Sequence, residues 1–305
     1  MCHRLISRIC RENGELRNGH YLSQEGELEQ FTEHADMIIG ENLPILMQQP
    51  LKVKSHCWFA FRHSAEVLFV EKIKVRGIVI REYEAGESDK RLTVFCKEHG
   101  RLMVYARGAR KPTSKFLSVA QMFTYADFVL TKGRGFYSLA QADIIESFYP
   151  LREDYDRLMA AYQVAEVCEK TLWDNLESDK LLLLLLRALS VLVKGDLPPT
   201  QISSVFLLRF FDVFGLRPQA EACVICNAGV ESGAFLCAEG LVCRSHKPAR
   251  SILMSAGAVS ALRFALDSEL KESFFFAASD NVIVELTKAA LLLWESHFEW
   301  KLKSL

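Results

Sequence analysis

The stretch IKVRGIVIREYEAGESDKRLTVFCKEHGRLMVYARG, residues 73–108, decides the fold of the chain. Its first run, residues 73–80, alternates apolar and polar side chains around Gly77, which predicts a half-buried strand with a bulge at the glycine. The GESDK segment predicts a turn, and two further strand-like runs follow it, joined by the tight EHG turn at residues 98–100. The stretch therefore predicts three short strands in succession.

Two more strands are predicted downstream, in QMFTYADFVLTKGRGFYSLAQADIIESFY at residues 121–149. They flank a turn formed by Gly133 and Gly135. Five short strands within residues 73–150, with glycine at the corners, predict a small Greek-key β-barrel.

After Pro150 the apolar residues recur with the period of a helix. The first helix, near residues 155–173, places Leu158, Ala161, Tyr162, Ala165, Cys168 and Leu172 on one face. The second lies between a capping Ser178 and Gly195, and its apolar run is too short to span a bilayer. A third, apolar all round, is predicted from Pro199 to Gly215, and two more at residues 255–268 and 279–305. The fold class is therefore α+β, with a barrel at 73–150 and a helical domain at 151–305.

The charge of the chain is unevenly distributed. The formal net charge is −1, yet residues 73–150 carry 13 Lys and Arg against 8 Asp and Glu. A basic module on an acidic body is expected where one part of a protein meets phosphate. The alternative interpretation is that the excess of basic residues in this segment is a random fluctuation.

The basic residues concentrate in RLMVYARGARKPTSKF, residues 101–116, which contains no acidic residue. A basic loop at the rim of a small barrel is suited to phosphate contacts, and aromatic residues beside it could stack on bases. In the alternative interpretation the charges solvate loops and the aromatics fill the core. The predicted DNA-contacting residues are Arg76, Arg101, Arg107, Arg110, Lys111, Lys115, Lys132 and Arg134, the last two beside Phe136 and Tyr137.

Four of the nine cysteines crowd between residues 223 and 243, and no signal peptide opens the chain. This clustering indicates metal ligation in a reducing, cytoplasmic compartment rather than a disulfide framework. Cys223, Cys226, Cys243 and His246 form two C-x2-C/H pairs, which predict a zinc module at residues 220–248 with a short hairpin between the pairs.

Two alternatives to this ligand set stay open. Cys237 could replace His246 in an all-cysteine set, or the native protein could hold no zinc. Four protein ligands leave no coordination position for water, so the predicted zinc is structural.

No pattern for phosphate-binding, serine-hydrolase or metalloprotease chemistry is present in the sequence, and the chain is interpreted as a non-enzyme. The competing hypothesis from another class is a zinc-dependent enzyme acting on nucleic acid, which requires an open metal site and a general base. A third hypothesis is a protein-interaction scaffold with an incidental basic loop.

Several motifs together resemble the RecO family of bacterial DNA repair proteins. They are the RG-x-V first strand, the GESD turn, the EHG hairpin, the ARGARKPTSK loop, SLAQADIIESF, and FGLRP followed by the cysteine pairs. The resemblance implies an N-terminal OB-fold, a helical domain and, in many members, zinc. It also implies a recombination mediator that binds and anneals single- and double-stranded DNA. With a RecR-type partner, such a mediator helps load the RecA recombinase on DNA coated by single-strand binding protein. A cytoplasmic, nucleoid-associated location and no membrane partner follow.

The sequence departs from the family pattern in two places. Family members typically begin about where Ile73 stands, so residues 1–72 are expected to be a disordered extension or upstream sequence read through from a misplaced start. His246 stands where a fourth cysteine is common, which keeps a tetrahedral ligand set but puts metal retention in doubt.

Overall fold

Five strands close into a barrel in the computed structural model, which describes residues 71–133, 135–172, 178–231 and 233–302. The extension predicted at residues 1–72 therefore lies almost entirely outside the described residues. The barrel strands are β1 (Lys72–Ala85), β2 (Asp89–Cys96), β3 (Gly100–Ala106), β4 (Tyr125–Lys132) and β5 (Tyr137–Glu146).

The strand order around the barrel is β1-β2-β3-β5-β4, and β4 returns to pair with β1. Neighbouring strands are antiparallel except β3 and β5, which run parallel where Val104 faces Tyr137. Lys97–His99 connect β2 to β3, with Cys96 opposite Gly100. The five-stranded, OB-like barrel followed by helices confirms the predicted fold class.

The first strand divides its side chains between two cores. Val75 and Val79 point into the barrel, whereas Ile78 and Ile80 point outward and join the core of the helical domain. The bulge predicted at Gly77 is wrong, because the register with β2 is irregular between Val79 and Arg81 instead. Gly77 serves close packing: a Cβ there would lie 2.6 Å from the carbonyl oxygen of Phe95.

The helical domain contains five α-helices among its described residues: α1 (Tyr155–Thr171), α2 (Asp179–Lys194), α3 (Pro199–Val213), α4 (Ala256–Asp267) and α5 (Asp280–His297). The carboxylate of Asp154 caps α1 by accepting from the amide of Arg157. Gly195, at φ 73°, ends α2. These bounds confirm the first three predicted helices and the start of the others. No helix in the described ranges is long and apolar enough to cross a membrane.

The last helix is shorter than predicted, since it ends at His297 rather than continuing to residue 305. The next residue, Phe298, is extended, and its ring stacks on Trp294 with centroids 4.4 Å apart. The indole N–H of Trp294 donates to the carbonyl oxygen of Trp300 at 2.9 Å. These contacts hold residues 298–300 against the end of α5.

The cysteine module lies between α3 and α4. It contains the predicted hairpin, β6 (Ala234–Leu236) and β7 (Leu241–Val242), and a third strand that was not predicted, β8 (Ile252–Met254). Its buried apolar side chains, among them Leu236, Leu241 and Met254, belong to the same core as the helices. The module is thus part of the helical domain's packing rather than a separate appendage.

Candidate nucleic-acid interface and metal cluster

The basic loop, residues 107–117, is fastened to the barrel by the turn at residues 86–89. The carboxylate of Asp89 accepts from the amide of Gly108 at 2.7 Å and from the hydroxyl of Tyr105 at 2.7 Å. The amide of Arg110 donates to the carbonyl oxygen of Ser88 at 2.9 Å. Gly108, at φ 65°, lets the chain turn there. The GESD turn and the ARGAR loop are therefore one structural unit.

This hydrogen-bonding environment perturbs Asp89. The backbone N–H of Gly108, followed by the Tyr105 hydroxyl, holds the pKa of the Asp89 carboxyl below its usual value, because both bonds favour the charged form. The sequence interpretation treated Asp89 only as a turn residue. The turn between β2 and β3 lies at residues 97–99, one residue before the predicted position, and this register places residue 90 opposite residue 106, so that Asp89 lies beside the start of the loop.

The loop cations have different partners. Arg107 and Lys111 are exposed, and neither forms an ion pair within the part of the chain that the structure describes. Arg110 pairs with Glu84 at 3.1 Å and donates to the carbonyl oxygen of Gly86. Lys115 donates to the carbonyl oxygen of Ala140 at 3.3 Å and lies over the ring of Phe116. Arg107 and Lys111 are thus the loop cations most available to a ligand.

The remaining predicted contacts lie elsewhere. Arg76 forms a bidentate ion pair with Asp127, at 2.7 and 2.8 Å. It lines a groove between the barrel and α2 and is not part of the loop. Arg101 lies near the start of β3, and Lys132 is exposed at the end of β4. Arg134 lies outside the described residues.

The four predicted ligands of the cysteine module converge. Their ligand atoms, from Cys223, Cys226, Cys243 and His246, all lie within 4.8 Å of one another. The Cys226 and Cys243 sulfurs are 3.9 Å apart, and His246 Nδ1 lies 3.7 Å from the Cys223 sulfur and 3.2 Å from the Cys243 sulfur. A tetrahedral ion with metal–sulfur bonds of about 2.3 Å separates its sulfurs by roughly 3.8 Å. The cluster could therefore hold a metal ion.

Tight turns position these ligands. In the first, Asn227 has φ 58° and its amide donates to the carbonyl oxygen of Cys223 at 2.8 Å. In the second, a short 3-10 turn at Arg244–His246 brings the imidazole back beside Cys243. Each turn directs two ligand atoms to one point.

Local hydrogen bonds tune the thiols for ligation. Backbone N–H groups, that of Cys243 foremost, point at the Cys223 sulfur and lower the pKa of this thiol to about 5. For Cys226, the amide of Ala228 favours a lower thiol pKa. Contacts with the Cys223 and Cys243 sulfurs and burial outweigh this effect, so the pKa of the Cys226 thiol is raised. At neutral pH the cluster thus contains a ready thiolate, the form that binds metal.

Cys237 has other partners. Its thiol donates to the Glu239 carboxylate at 3.2 Å and contacts the carbonyl oxygen of Gly240 at 3.2 Å. Burial and the hydrogen bond to Glu239 raise the pKa of this thiol, and Cys237 is not among the four residues whose ligand atoms converge. The geometry favours the two-pair set over the all-cysteine alternative.

An arginine that the sequence interpretation missed holds the module against α4. The Arg263 guanidinium donates to the backbone carbonyl oxygens of Ala220, Glu221 and Val230, at 2.7, 2.9 and 2.9 Å. Nothing in the sequence pattern singles it out, because its partners are backbone atoms. These bonds fix the position of the module through the backbone around the first pair of cysteines.

Comparison with known proteins matches both parts of the chain. The model for the recombination protein O N-terminal region matches residues 70–148, and that for its C-terminal region matches residues 152–305. The DNA repair protein RecO of Acetivibrio thermocellus is 34% identical over 226 residues, covering 72% of this chain and 88% of the relative. That of Alkaliphilus metalliredigens is 36% identical over 173 residues, covering 56% and 70% respectively. The chain therefore belongs to the RecO family.

Proposed function

We propose that this chain is a DNA-binding mediator of DNA repair and homologous recombination, without catalytic activity of its own. It binds single- and double-stranded DNA and anneals complementary strands. With a RecR-type partner it helps load the RecA recombinase on DNA coated by single-strand binding protein, in the cytoplasm and at the nucleoid. Family membership supports this role. The observation that carries the DNA-binding part is the anchored loop, in which Arg107 and Lys111 form no ion pair with a residue that the structure describes.

Arg107 and Lys111 support phosphate binding for a physical reason. Neither cation forms an ion pair with a described residue, although Asp89 lies close enough to Arg107 to interact with it electrostatically, so most of their field is open to a ligand. Neutralising phosphates also releases condensed counterions. Because Asp89 and Ser88 hold the loop backbone, less conformational entropy is lost when DNA binds. Arg76, Arg101, Arg110, Lys115, Lys132 and Arg134 remain in the proposed contact set, with Arg76 and Arg110 contributing less because acidic residues neutralise them.

The metal proposed for the cysteine cluster is structural zinc. Its three sulfurs and one nitrogen are ligands that zinc prefers, and together they complete a tetrahedron. No position remains for an activated water, so the ligand set favours a structural role over the alternative of a zinc-dependent enzyme acting on nucleic acid.

In the test, both Arg107 and Lys111 are replaced by alanine in one variant. Its binding to single-stranded and duplex DNA is then measured over a range of salt concentrations. The expected result is weaker binding to every sequence. The slope of log K against log salt should flatten by about 1.8 for duplex and 1.4 for single strands, since two phosphate contacts are lost.

The matched control is the double variant Lys271→Ala/Lys288→Ala, which removes the same charge from exposed positions of the helical domain. It should bind DNA like the parent protein. Equal losses in both double variants would reduce the effect to overall charge, and an unchanged slope in the loop variant would contradict the proposed interface. A strand-annealing assay on the same proteins tests the mediator activity.

A further inference from the structure

One sulfur of the metal cluster is open to solvent. Among the cysteines in the described part of the chain, only Cys226 is exposed. Cys223, in the same turn, is buried, and Cys243, in the second turn, is half-buried. A reagent that attacks sulfur from solvent therefore meets Cys226 before the other ligands.

The sulfur best placed to react with Cys226 belongs to the second turn. The sulfurs of Cys226 and Cys243 lie 3.9 Å apart. A disulfide bond is about 2.0 Å long, so the two sulfurs must approach by roughly 2 Å, a change of the size that side-chain rotation provides. The alternative partner, Cys223, is buried, and its sulfur accepts from the backbone N–H groups of Cys243, Cys226 and Ile225. A disulfide at Cys223 would weaken these bonds, because a disulfide sulfur carries no negative charge.

The described cysteines outside the cluster are protected from oxidation. Cys96 lies in the barrel core and Cys168 in the core of the helical domain. Burial raises the pKa of the Cys96 thiol to about 12. Cys237 is also buried, and its thiol donates to the Glu239 carboxylate. Because the thiolate is the form that oxidants attack, oxidation is directed to the cluster.

We infer that hydroperoxides convert Cys226 and Cys243 into a reversible disulfide, which replaces the metal as the link between the two turns. The inference rests on the structural zinc proposed above for the cluster, and it assigns this site a second, oxidised form. It does not depend on the DNA-binding loop.

The oxidation takes place in two steps. The Cys226 thiolate attacks one oxygen of hydrogen peroxide, the O–O bond breaks, and a sulfenic acid and a hydroxide ion form. The Cys243 thiolate then attacks the Cys226 sulfur, the S–S bond forms, the S–O bond breaks, and a second hydroxide ion leaves. The two thiolates together lose two electrons, which reduce one molecule of peroxide.

The disulfide joins the same two parts of the chain that the metal joins. Cys226 belongs to the first turn and Cys243 to the second, so a bond between them spans the β6–β7 hairpin. Only Cys223 and His246 then keep free donor atoms, and two ligands do not complete a tetrahedral zinc site. Arg263 still donates to the backbone on either side of the first turn. The oxidised module therefore releases its metal and keeps the connection between its turns.

The test compares three forms of the full-length protein: reduced with zinc, reduced and metal-free, and treated with hydrogen peroxide. Peroxide should release the bound zinc to a chromogenic chelator. Mass spectrometry after digestion without reductant should find peptides joined through Cys226 and Cys243. The reduced, metal-free form should melt roughly 8–16 °C below the zinc form, and the disulfide should restore about half of this loss or more. A thiol reductant with added zinc should regenerate the starting form.

Cys237→Ser is the matched control, since it removes a thiol of the same module that lies outside the cluster. It should release zinc and form the same disulfide as the parent protein. A disulfide between Cys223 and Cys226, or an oxidised form as unstable as the reduced, metal-free form, would overturn the inference. If zinc is bound but peroxide does not release it, the structural metal stands and the exchange fails. A reduced protein that takes up no zinc would overturn the proposed metal and the exchange with it.

Discussion

The cysteine module and the basic loop are both fastened to their surroundings by one charged side chain, but the two attachments serve different ends. Arg263 reaches three backbone carbonyls of the module, whereas Asp89 accepts from an amide at the start of the loop. The module also packs into the core of the helical domain through Leu236, Leu241 and Val242. The loop also buries Ala109 and Phe116, yet it leaves Arg107 and Lys111 in solvent.

The difference separates stability from binding. In the module, ligands, core and anchor reinforce one local structure, so damage to any of them should appear first in the free energy of unfolding. In the loop, the anchor positions charges that do little for the folded state by themselves. Loss of those charges should appear in DNA affinity and leave stability nearly unchanged.

The largest effect is expected from Cys226→Ser, which removes an exposed ligand with little change in packing. The protein should lose the zinc proposed for the cluster and about 4 kcal/mol of stability, or roughly 8–16 °C in melting temperature. Metal analysis and thermal unfolding measure both. Cys237→Ser is the control and should keep the metal. Loss of the metal in Cys237→Ser, with retention in Cys226→Ser, would contradict the two-pair ligand set.

A smaller effect is expected from Arg263→Met, which keeps the apolar stem and removes the guanidinium. Three carbonyl oxygens then lose their charged donor, at a cost of about 1–3 kcal/mol in the free energy of unfolding. Denaturant unfolding measures this cost. The control, Arg250→Met, breaks only an exposed pair with Glu295 and should change stability by less than about 1 kcal/mol. Equal costs in the two variants would contradict a special role for Arg263.

The smallest effect is expected at Asp89. Its folded-state pKa is lowered, so its contribution to stability is present above the unfolded-state pKa and disappears as the pH falls through the folded-state value. The melting temperature of Asp89→Asn should therefore lie below that of the parent at neutral pH and converge with it under acid conditions. Asp196→Asn, at an exposed position, should show no such convergence. A gap that persists in acid would refute the charge-dependent anchor.

The number of barrel strands and the convergence of four cysteine and histidine side chains could be predicted because they depend on local pattern. Glycine-marked corners gave the five strands, and the two C-x2 spacings gave the four converging ligands. Contacts made by backbone atoms or across strands could not be read in the same way. The partners of Arg263 are carbonyls, and Arg91 meets Tyr83 and Tyr105 only once the register is set. The bulge in β1 was placed at Gly77 because glycine often marks a bulge, whereas the register changes between Val79 and Arg81.

That division of β1 has a consequence for biosynthesis. Ile78 and Ile80 leave the ribosome early, but α1, the helix that packs against β1, is synthesised roughly 75 to 95 residues later. At about 5–20 residues per second, these two side chains wait on the order of 4 s to 20 s for their neighbours. During that interval the nascent barrel presents an apolar strip that a chaperone can shield. Slow codons between the barrel and α1 would lengthen the wait and raise the aggregated fraction.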